Sequence, residues 1–282
     1  MKNIPILQLA ILLLAALTIP IFSLYYEMKI QKMESSLISW HGNFDHSTWM
    51  KEWNIERKSS FGKKNMETVE DKTKKFGKIL RVYFPKGSSS PSFSRATGAP
   101  IGGAQFLAKP FSPTNHLFFR YFVYLAENFQ FVRGGKLPGL SGGTEISGSE
   151  LPNGENGFST RFMWRENGLG EIQMYIPNNT KYGTDEGLGS FKLAIGNWNS
   201  LEQEIVLNTP KKNDGKIVVW LNGKEVFRDD HVVYRTTDSL KIDSIFFSTF
   251  FGGHDSSWAT PVATSIDFAG FTVSNKYIGT DL

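Results

Sequence analysis

The sequence contains no cysteine and only five histidines among its 282 residues. Without cysteine the protein has no disulfides, thiolate zinc sites, cysteine nucleophiles or lipid-modified N-terminal cysteine. The histidines are scattered, so the sequence predicts no zinc site and indicates no other cofactor. A structural calcium ion is compatible with the sequence, because calcium bound by backbone carbonyls and a carboxylate leaves no recognisable motif.

The sequence also lacks a large excess of positive or negative charge. The 31 Lys and Arg residues against 27 Asp and Glu give a net charge of +4, too mild for a charge-driven nucleic-acid binder, so no nucleic-acid partner is expected. No P-loop is present, since Gly134-Gly135-Lys136 lacks the earlier glycine of that motif. A hydrophobic content of 40% with 14% aromatic residues excludes disorder, collagen and coiled coil.

The N-terminal segment carries the longest apolar run. Residues 6–19 have no charge and follow Lys2, as in the hydrophobic region of a signal peptide. Residues 4–26 are also long enough to cross a bilayer as an uncleaved anchor, and a buried core helix is the structural alternative. Signal peptide or membrane anchor is therefore the expectation for residues 1–26. Either predicts an exported protein: secreted, periplasmic or tethered to a membrane with its domain outside the cytoplasm.

The rest of the chain is expected to be a linker, residues 27–40, and one domain, residues 41–282. Residues 51–78 are rich in charge and are predicted to be a solvated face or loop. From residue 79 onward, short runs of β-branched and aromatic residues alternate with turn-forming residues, which predicts an antiparallel β-sandwich or jelly roll. The predicted strands are Ile79–Phe84, Leu117–Leu125, Gly157–Trp164, Glu171–Ile176, Gln203–Leu207, Ile217–Leu221, Ile242–Phe251 and Ser265–Val273.

Two dipeptides, Asn167-Gly168 and Asn222-Gly223, are hairpin signals between predicted strands. In the first hairpin, side chains alternate across each strand, so one face of both strands is mainly polar. Because the connection is short, the two polar faces are expected to coincide. The residues of this face are Ser159, Arg161, Met163, Arg165, Glu171, Gln173 and Tyr175.

A glycine-rich segment precedes this hairpin. Residues 133–143 contain five glycines and one lysine, Lys136, and are predicted to be a loop with tight turns or close backbone approach. Arginine predominates on the hairpin face, and its planar guanidinium is suited to carboxylates. An ordinary solvated face and an ordinary loop lysine are the structural alternatives.

A tyrosine close to arginine and lysine is suited to β-elimination on a uronic-acid polymer. The reaction removes a weakly acidic proton beside a carboxylate, whose charge must be neutralised, and expels the glycosidic oxygen. Lys136, Arg161 or Gln173 is expected to bind the carboxylate. Tyr175 is expected to be base, acid or both, because neighbouring cations lower the pKa of a phenol.

Hydrolysis is the competing reaction. A glycoside hydrolase requires two carboxyl groups about 5–10 Å apart. Glu145 and Glu150 lie in a predicted loop, and Glu171 has no obvious partner in the sequence. Elimination therefore fits the residues better.

Several motifs resemble those of polysaccharide lyase family 14 and the related family 20 glucuronan lyases. The resemblance covers about residues 40–280 and implies a single β-jelly roll, a concanavalin-like sandwich, that cleaves alginate, glucuronan or another polyuronate by elimination. The polyuronate, an acidic polysaccharide, is the expected partner. The expected fold is therefore all-β, preceded in the chain by an N-terminal hydrophobic helix. The protein is expected to be a monomer. The motifs are Leu80–Pro85, Gly102–Phe106, Gly134–Gly139, Phe158–Arg165, Tyr175–Pro177 and Phe246–Trp258.

The resemblance assigns four residues. Lys136, Ser159, Arg161 and Tyr175 match positions implicated in such lyases, with Ser159 among the substrate-binding residues. Gln173 stands where the family has a tyrosine; it can bind a carboxylate but cannot transfer a proton.

Three further side chains are candidates for substrate binding beside Arg165. These are Gln105, Arg120 and His254. Arg120 lies among phenylalanines, so structural packing is its alternative, and His254 beside Asp255 is also typical of a surface loop. Two other functions stay open: a non-catalytic carbohydrate-binding jelly roll and a sandwich-fold glycoside hydrolase.

Overall fold

A computed structural model describes residues 39–144, 146–148, 150–177 and 182–281. The predicted signal or anchor, and the linker up to residue 38, lie outside the described residues. Among the residues described, no helix has both the length and the apolar character needed to cross a membrane.

The described residues form fifteen strands and two short helices. The helices are α1 (Trp49–Glu52) and α2 (Pro91–Thr97), and short 3-10 turns cover Lys63–Asn65, Glu166–Gly168 and Ser256–Trp258. The strands are β1 (Ser39–Gly42), β2 (Ile55–Phe61), β3 (Met66–Glu70), β4 (Lys78–Phe84), β5 (Ala104–Ala108), β6 (His116–Leu125), β7 (Gly134–Gly143), β8 (Gly157–Arg165), β9 (Leu169–Tyr175), β10 (Thr184–Lys192), β11 (Trp198–Val206), β12 (Gly215–Leu221), β13 (Lys224–Val232), β14 (Ser244–Phe251) and β15 (Thr264–Ser274).

Two antiparallel sheets make up the domain. The back sheet has the order β13-β12-β11-β6-β15-β4-β3, with β1 paired to β15, and the front sheet has the order β10-β9-β8-β7-β14-β5-β2. Each of the eight predicted strands overlaps an observed one. The predicted all-β class is confirmed, and the two sheets are consistent with a jelly-roll sandwich.

Aromatic side chains fill the space between the sheets. Tyr121 of β6 in the back sheet stacks on Phe271 at 5.2 Å and meets the ring of Phe162, from β8 of the front sheet, at 6.0 Å. All three side chains are fully buried. Such aromatic pairs bury large apolar areas and fix the separation of the two layers.

Both predicted hairpin turns are confirmed. Asn167 and Gly168 have φ of 59° and 79°, and Asn222 and Gly223 have φ of 51° and 80°. Two successive residues with positive φ are what a tight hairpin turn of the mirror-image type requires. The first turn joins β8 to β9 and thereby brings the predicted polar residues together.

The prediction that residues 133–143 form a loop is wrong, because they form β7 in the middle of the front sheet. The glycines serve close packing between strands. A Cβ added at Gly139 would lie 1.7 Å from the Thr160 carbonyl oxygen, and one at Gly135 would lie 2.1 Å from the Trp164 ring. Glycine spacing that reads as turns in the sequence thus marks contact with neighbouring backbone and side chains.

Residues 51–78, predicted to be a solvated face or loop, are mostly exposed or half-buried where the structure describes their side chains, but they are not a loop. They contain the end of α1 and the strands β2 and β3, which are the edges of the front and back sheets. Charged residues are common on edge strands because they discourage pairing with other chains. The high content of charged residues is therefore the reason that no strand was predicted in this segment.

Replacing Gly139 with alanine should destabilise the fold by about 2–3 kcal/mol, since strand β8 must move to admit the methyl group. Chemical denaturation measures the change. Gly77→Ala is the matched control, because there the added Cβ would meet only a carboxylate oxygen of Asp45, at 3.1 Å. Equal losses for both variants would contradict the packing role of Gly139.

Candidate active site

The candidate site is a cleft of about 1130 Å³ on the outward side of the front sheet. Strands β8 and β9 pair Arg161 with Gln173 and Ser159 with Tyr175, so the polar faces of the hairpin coincide as predicted. On the opposite side of β8, Phe162 is fully buried in the core. The alternation of side chains thus separates the cleft from the core.

A β-bulge in β7 places Lys136. Lys136 pairs with Met163, and Gly139 pairs with Arg161, so β7 has one residue more than β8 between these points. In a regular strand, residues three apart face opposite sides, and the bulge turns both to the same side. Lys136 therefore points into the cleft, while Leu137 beside it is fully buried.

The bulge is held from the back sheet. The extra residue lies at Leu137-Pro138, where proline has no N–H to offer a sheet partner. The hydroxyl of Tyr121 donates to the Pro138 carbonyl at 3.1 Å. A side chain of β6 thereby fixes the backbone next to Lys136.

Lys136 is nine-tenths buried, and its Nζ donates to the Met163 sulfur at 2.7 Å. Burial lowers the pKa of the Lys136 ammonium well below its usual range, and the nearby positive charges of Arg161 and Arg165 lower it further. Both effects shift the balance from the ammonium toward the neutral amine, which can accept a proton.

Arg161 is 2% exposed and lies beneath the cleft. It donates to Ser248 Oγ at 3.3 Å and to Gln173 Oε1 at 3.5 Å. Its guanidinium carbon lies 4.6 Å from the Phe246 ring and 5.5 Å from the Tyr175 ring. These four groups orient the guanidinium.

Tyr175 is 3% exposed, and its hydroxyl donates to the Gly148 carbonyl at 3.1 Å. Burial raises the pKa of this phenol above its ordinary value, although the charge of Arg161 acts in the opposite direction. The expectation that neighbouring cations give Tyr175 a lowered pKa is therefore wrong. Desolvation outweighs the cation, and the phenol stays protonated near neutral pH.

An ion-pair network lies beside Gln173. The Gln173 Nε2 donates to Asp185 Oδ1 at 3.1 Å. Arg165 donates to Glu171 and to Asp185, so its charge is balanced inside the protein. Burial raises the pKa of the Glu171 carboxyl. The amide of Gln173 is thus held between Asp185 and Arg161, with its oxygen toward the guanidinium.

Asp185 is a site residue that the sequence analysis does not predict. It lies on β10 and pairs with Gln173 of β9. The segment around it contains Gly187 and Gly189 and has no apolar alternation, so no strand was predicted there. Asp185 could be found only once the pairing of β9 with β10 was known.

Three other predicted residues lie at different depths. Ser159 is fully buried and donates to the Ile146 carbonyl at 2.8 Å, so it holds the segment that also contains Gly148. Gln105 lines the cleft and accepts from Ser248 Oγ at 3.0 Å. His254 is exposed and lies at the rim of the cleft.

Arg120 is not part of the cleft, contrary to expectation. It lies on β6 of the back sheet, where its Nη2 donates to Thr272 Oγ1 at 3.2 Å and its guanidinium carbon lies 4.6 Å from the Phe122 ring. The structural packing suggested by its phenylalanine neighbours is the role its position fits. The cleft is also lined by residues that sequence reasoning did not single out, namely Phe61, Arg95, Tyr182 and Trp258.

Among the described residues, the candidate carboxylates do not form a pair free for hydrolysis. Glu171 and Asp185 both bind Arg165, Glu150 is exposed, and Glu145 lies outside the described residues. Within the described ranges, no three His, Asp or Glu side chains come together as metal ligands would. The arrangement instead presents a buried guanidinium, a buried amine and a protonated phenol to one cleft.

Comparison with known proteins identifies relatives of this fold. The family described as Polysaccharide lyase 14 matches residues 72–271. The structure is similar to the marine PL-14 alginate lyase from Aplysia kurodai, with 30% identity, a TM-score of 0.71 and coverage of 83% of this chain and 97% of that chain.

Two more distant structures share the fold. The alginate lyase vAL-1 from Chlorella virus has 24% identity and a TM-score of 0.67, over 80% of this chain and 94% of that one. The endo-β-1,4-glucuronan lyase from the fungus Trichoderma reesei has 11% identity and a TM-score of 0.58, over 84% and 95%. None of the curated protein sequences compared with the chain matches it.

Titration of Tyr175 should distinguish the effect of burial from that of Arg161. Phenolate formation is followed by absorbance in wild type and in Tyr175→Phe. The difference between the two titration curves reports Tyr175, and its midpoint should lie above about pH 10. Circular dichroism over the same range checks that both proteins stay folded. A midpoint below pH 10 would mean that the charge of Arg161 affects the pKa of Tyr175 more than burial does.

Proposed function

This chain belongs to polysaccharide lyase family 14, and from that membership we propose that it cleaves a polyuronate of the alginate or glucuronan type by β-elimination in the front-sheet cleft. The observation that carries the proposal is the convergence of Arg161, Lys136 and Tyr175 on one cleft. Each is nearly buried, and each supplies a different chemical capacity. The predicted fit of these residues to elimination rather than hydrolysis agrees with the family.

Arg161 is proposed to neutralise the uronate carboxylate. Its planar guanidinium can donate two parallel hydrogen bonds to a carboxylate. Because it is buried, its attraction for an anion is weakened less by water than that of an exposed arginine. The same charge stabilises the enolate that develops when the neighbouring carbon loses its proton.

Lys136 and Tyr175 are proposed to share the proton transfers. The Lys136 amine takes the proton from the carbon next to the carboxylate, and the electron pair of that C–H bond forms the new C=C bond. The glycosidic C–O bond on the adjacent carbon then breaks, and its oxygen takes the proton of the Tyr175 hydroxyl. The directions of the two pKa shifts favour a neutral amine as base and a protonated phenol as acid.

The hydroxyl of Tyr175 has a single proton to donate. In the structure that proton is directed to the Gly148 carbonyl. Donation to a departing sugar oxygen therefore requires this hydrogen bond to break. Residues 146–148, which also accept a hydrogen bond from Ser159, are proposed to move away from Tyr175 as the substrate enters.

Gln173 favours a second candidate function, a carbohydrate-binding jelly roll without turnover. It replaces a tyrosine of the family and cannot transfer a proton. Its amide is bound to Asp185 and faces Arg161, which suits a role in orienting the guanidinium and binding the carboxylate. If the family reaction requires both tyrosines, binding without chain cleavage is the expected outcome.

We propose that the domain acts outside the cytoplasm on an acidic polysaccharide, as a monomer, either secreted or tethered through residues 1–26. The apolar N-terminal run supports this proposal. Cell fractionation of the full chain, with detergent extraction of the membranes, separates a released protein from a tethered one. Light scattering on the released domain gives its oligomeric state.

Tyr175→Phe should lower kcat by about 10²–10⁴-fold, because the variant loses the proton donor and retains the ring. The assay is the ultraviolet absorbance of the unsaturated sugar formed at each cut, on alginate and on glucuronan. Tyr83→Phe is the matched control, since Tyr83 lies on the back sheet and binds Glu67. Wild-type protein that binds a polyuronate and never releases unsaturated product would favour the binding function.

The pH profile should show the base and the acid. Activity should rise with pH through the lowered pKa of Lys136, as the amine loses its proton, and should fall above the raised pKa of Tyr175. Lys136→Arg should abolish the activity, because arginine stays protonated. Substantial activity of Lys136→Arg, with Lys136→Gln inactive, would instead assign Lys136 to carboxylate neutralisation.

A further inference from the structure

A second cleft, of about 710 Å³, adjoins the candidate active site at the β2 edge of the front sheet. Ser60, Phe61 and Gln105 line both clefts, so the two form one continuous groove. The groove crosses the strands, because the active-site cleft reaches Asp185 on β10 and the second cleft reaches Ile55 on β2.

The groove is long enough for more than one sugar. From β8, which carries Arg161, the sheet order passes through β7, β14 and β5 to β2, which is four strand spacings. At about 4.8 Å per spacing this is about 19 Å. A linear polysaccharide held at Arg161 and directed across the strands would therefore extend into the second cleft.

The second cleft is positively charged. Lys51 and Lys63 line it, both are exposed, and its described lining contains no Asp or Glu. Within the part of the chain that the structure describes, neither lysine has a carboxylate within 4.0 Å. At the opposite end of the groove, Asp185 is bound to Arg165, which also binds the buried Glu171. Basic side chains also line the active-site cleft, among them Arg95 and Arg161, so positive charge extends along the groove and suits a polyanion.

Apolar side chains connect the two clefts. Phe61 is half-buried and packs against Phe250 with ring centroids 6.1 Å apart, and Phe106 lies deeper in the second cleft. Ligand sites commonly combine apolar walls with a few charged groups that set specificity. The C–H faces of sugar rings suit such walls, and the lysines suit their carboxylates.

The backbone that carries the lysines is anchored. Lys51 lies on α1, whose Trp49 is buried 6.0 Å from the Phe106 ring. Lys63 begins a 3-10 turn, and the buried Asn65 of that turn donates to the carbonyls of Ile101 and Gly103 at 3.0 and 2.8 Å. The positions of the two lysines on the groove wall are therefore set by buried contacts.

We propose that the second cleft is a remote binding site for the same polyuronate chain, in which Lys51 and Lys63 bind carboxylates of sugars several residues from the bond that is cut. The inference rests on the proposed function, because it assumes a uronate at Arg161. It makes the protein selective for long, charged chains: the remote contacts form only when the polymer spans both clefts.

The test compares Lys51→Gln/Lys63→Gln with wild type on oligouronates of increasing length and on the polymer. Wild-type kcat/KM should rise with chain length until the groove is filled. The double variant should lose about 3–10-fold on the polymer, the size expected for two exposed ion pairs, and should match wild type on the shortest substrate. Its dependence on salt concentration should also weaken.

Lys224→Gln/Lys276→Gln is the matched control, because both lysines are exposed and line neither cleft. Thermal unfolding confirms that the variants fold alike. Equal losses at every substrate length, no loss on the polymer, or the same loss in the control would each overturn the remote site.

Failure of the proposed function gives a different result. In that case wild type forms no unsaturated product from any polyuronate, and affinity electrophoresis in gels containing the polymer tests the groove directly. Weaker retardation of Lys51→Gln/Lys63→Gln than of wild type in alginate gels, with no difference in a neutral glucan gel, supports the site. Equal retardation in alginate overturns it.

Discussion

The architecture of the cleft depends on the passage of β7 between β8 and β14. The strand lies so close to β8 that a methyl group at Gly139 would overlap the Thr160 carbonyl, so glycine is required there. One extra residue at Leu137-Pro138 then reverses the alternation and turns Lys136 outward, to the same side as Arg161. The Tyr121 hydroxyl, which comes from the back sheet, fixes this bulge. The catalytic geometry proposed here is thus tied to contacts in the core.

Burial then decides what the charged side chains can do. Lys136 and Arg161 both lie in a poorly hydrated part of the sheet. Burial and the charge of Arg161 lower the pKa of Lys136, because arginine does not give up its proton. The phenol of Tyr175 is desolvated as well, and this outweighs its proximity to the guanidinium. Burial and neighbouring charge thus shift Lys136 toward the neutral amine and keep Tyr175 a protonated phenol, beside the fixed charge of Arg161. Both directions agree with the proton transfers of the proposed elimination.

The two ends of the groove also differ in whether their charged side chains form ion pairs. At the β9 and β10 end, Glu171 and Asp185 balance Arg165, and Asp185 holds the amide of Gln173. At the β2 end, Lys51 and Lys63 have no such partners among the described residues. The acidic partners therefore stabilise the protein around the reacting centre, and the lysines remain available to a long anionic chain.

The sequence by itself determined the all-β class, the two Asn-Gly hairpins and the shared polar face of β8 and β9, because alternation and turn chemistry act over a few residues. The resemblance to the family also selected Lys136, Arg161 and Tyr175 as candidates, and the structure places all three at one cleft. Tertiary structure decided the rest. Close approach of neighbouring strands made a strand of the glycine-rich segment 133–143, and the strand pairing brought Asp185 to Gln173 and kept Arg120 on the other sheet. The protonation of Tyr175 was also decided there, since desolvation depends on everything packed around the phenol and leaves no local trace in the chain.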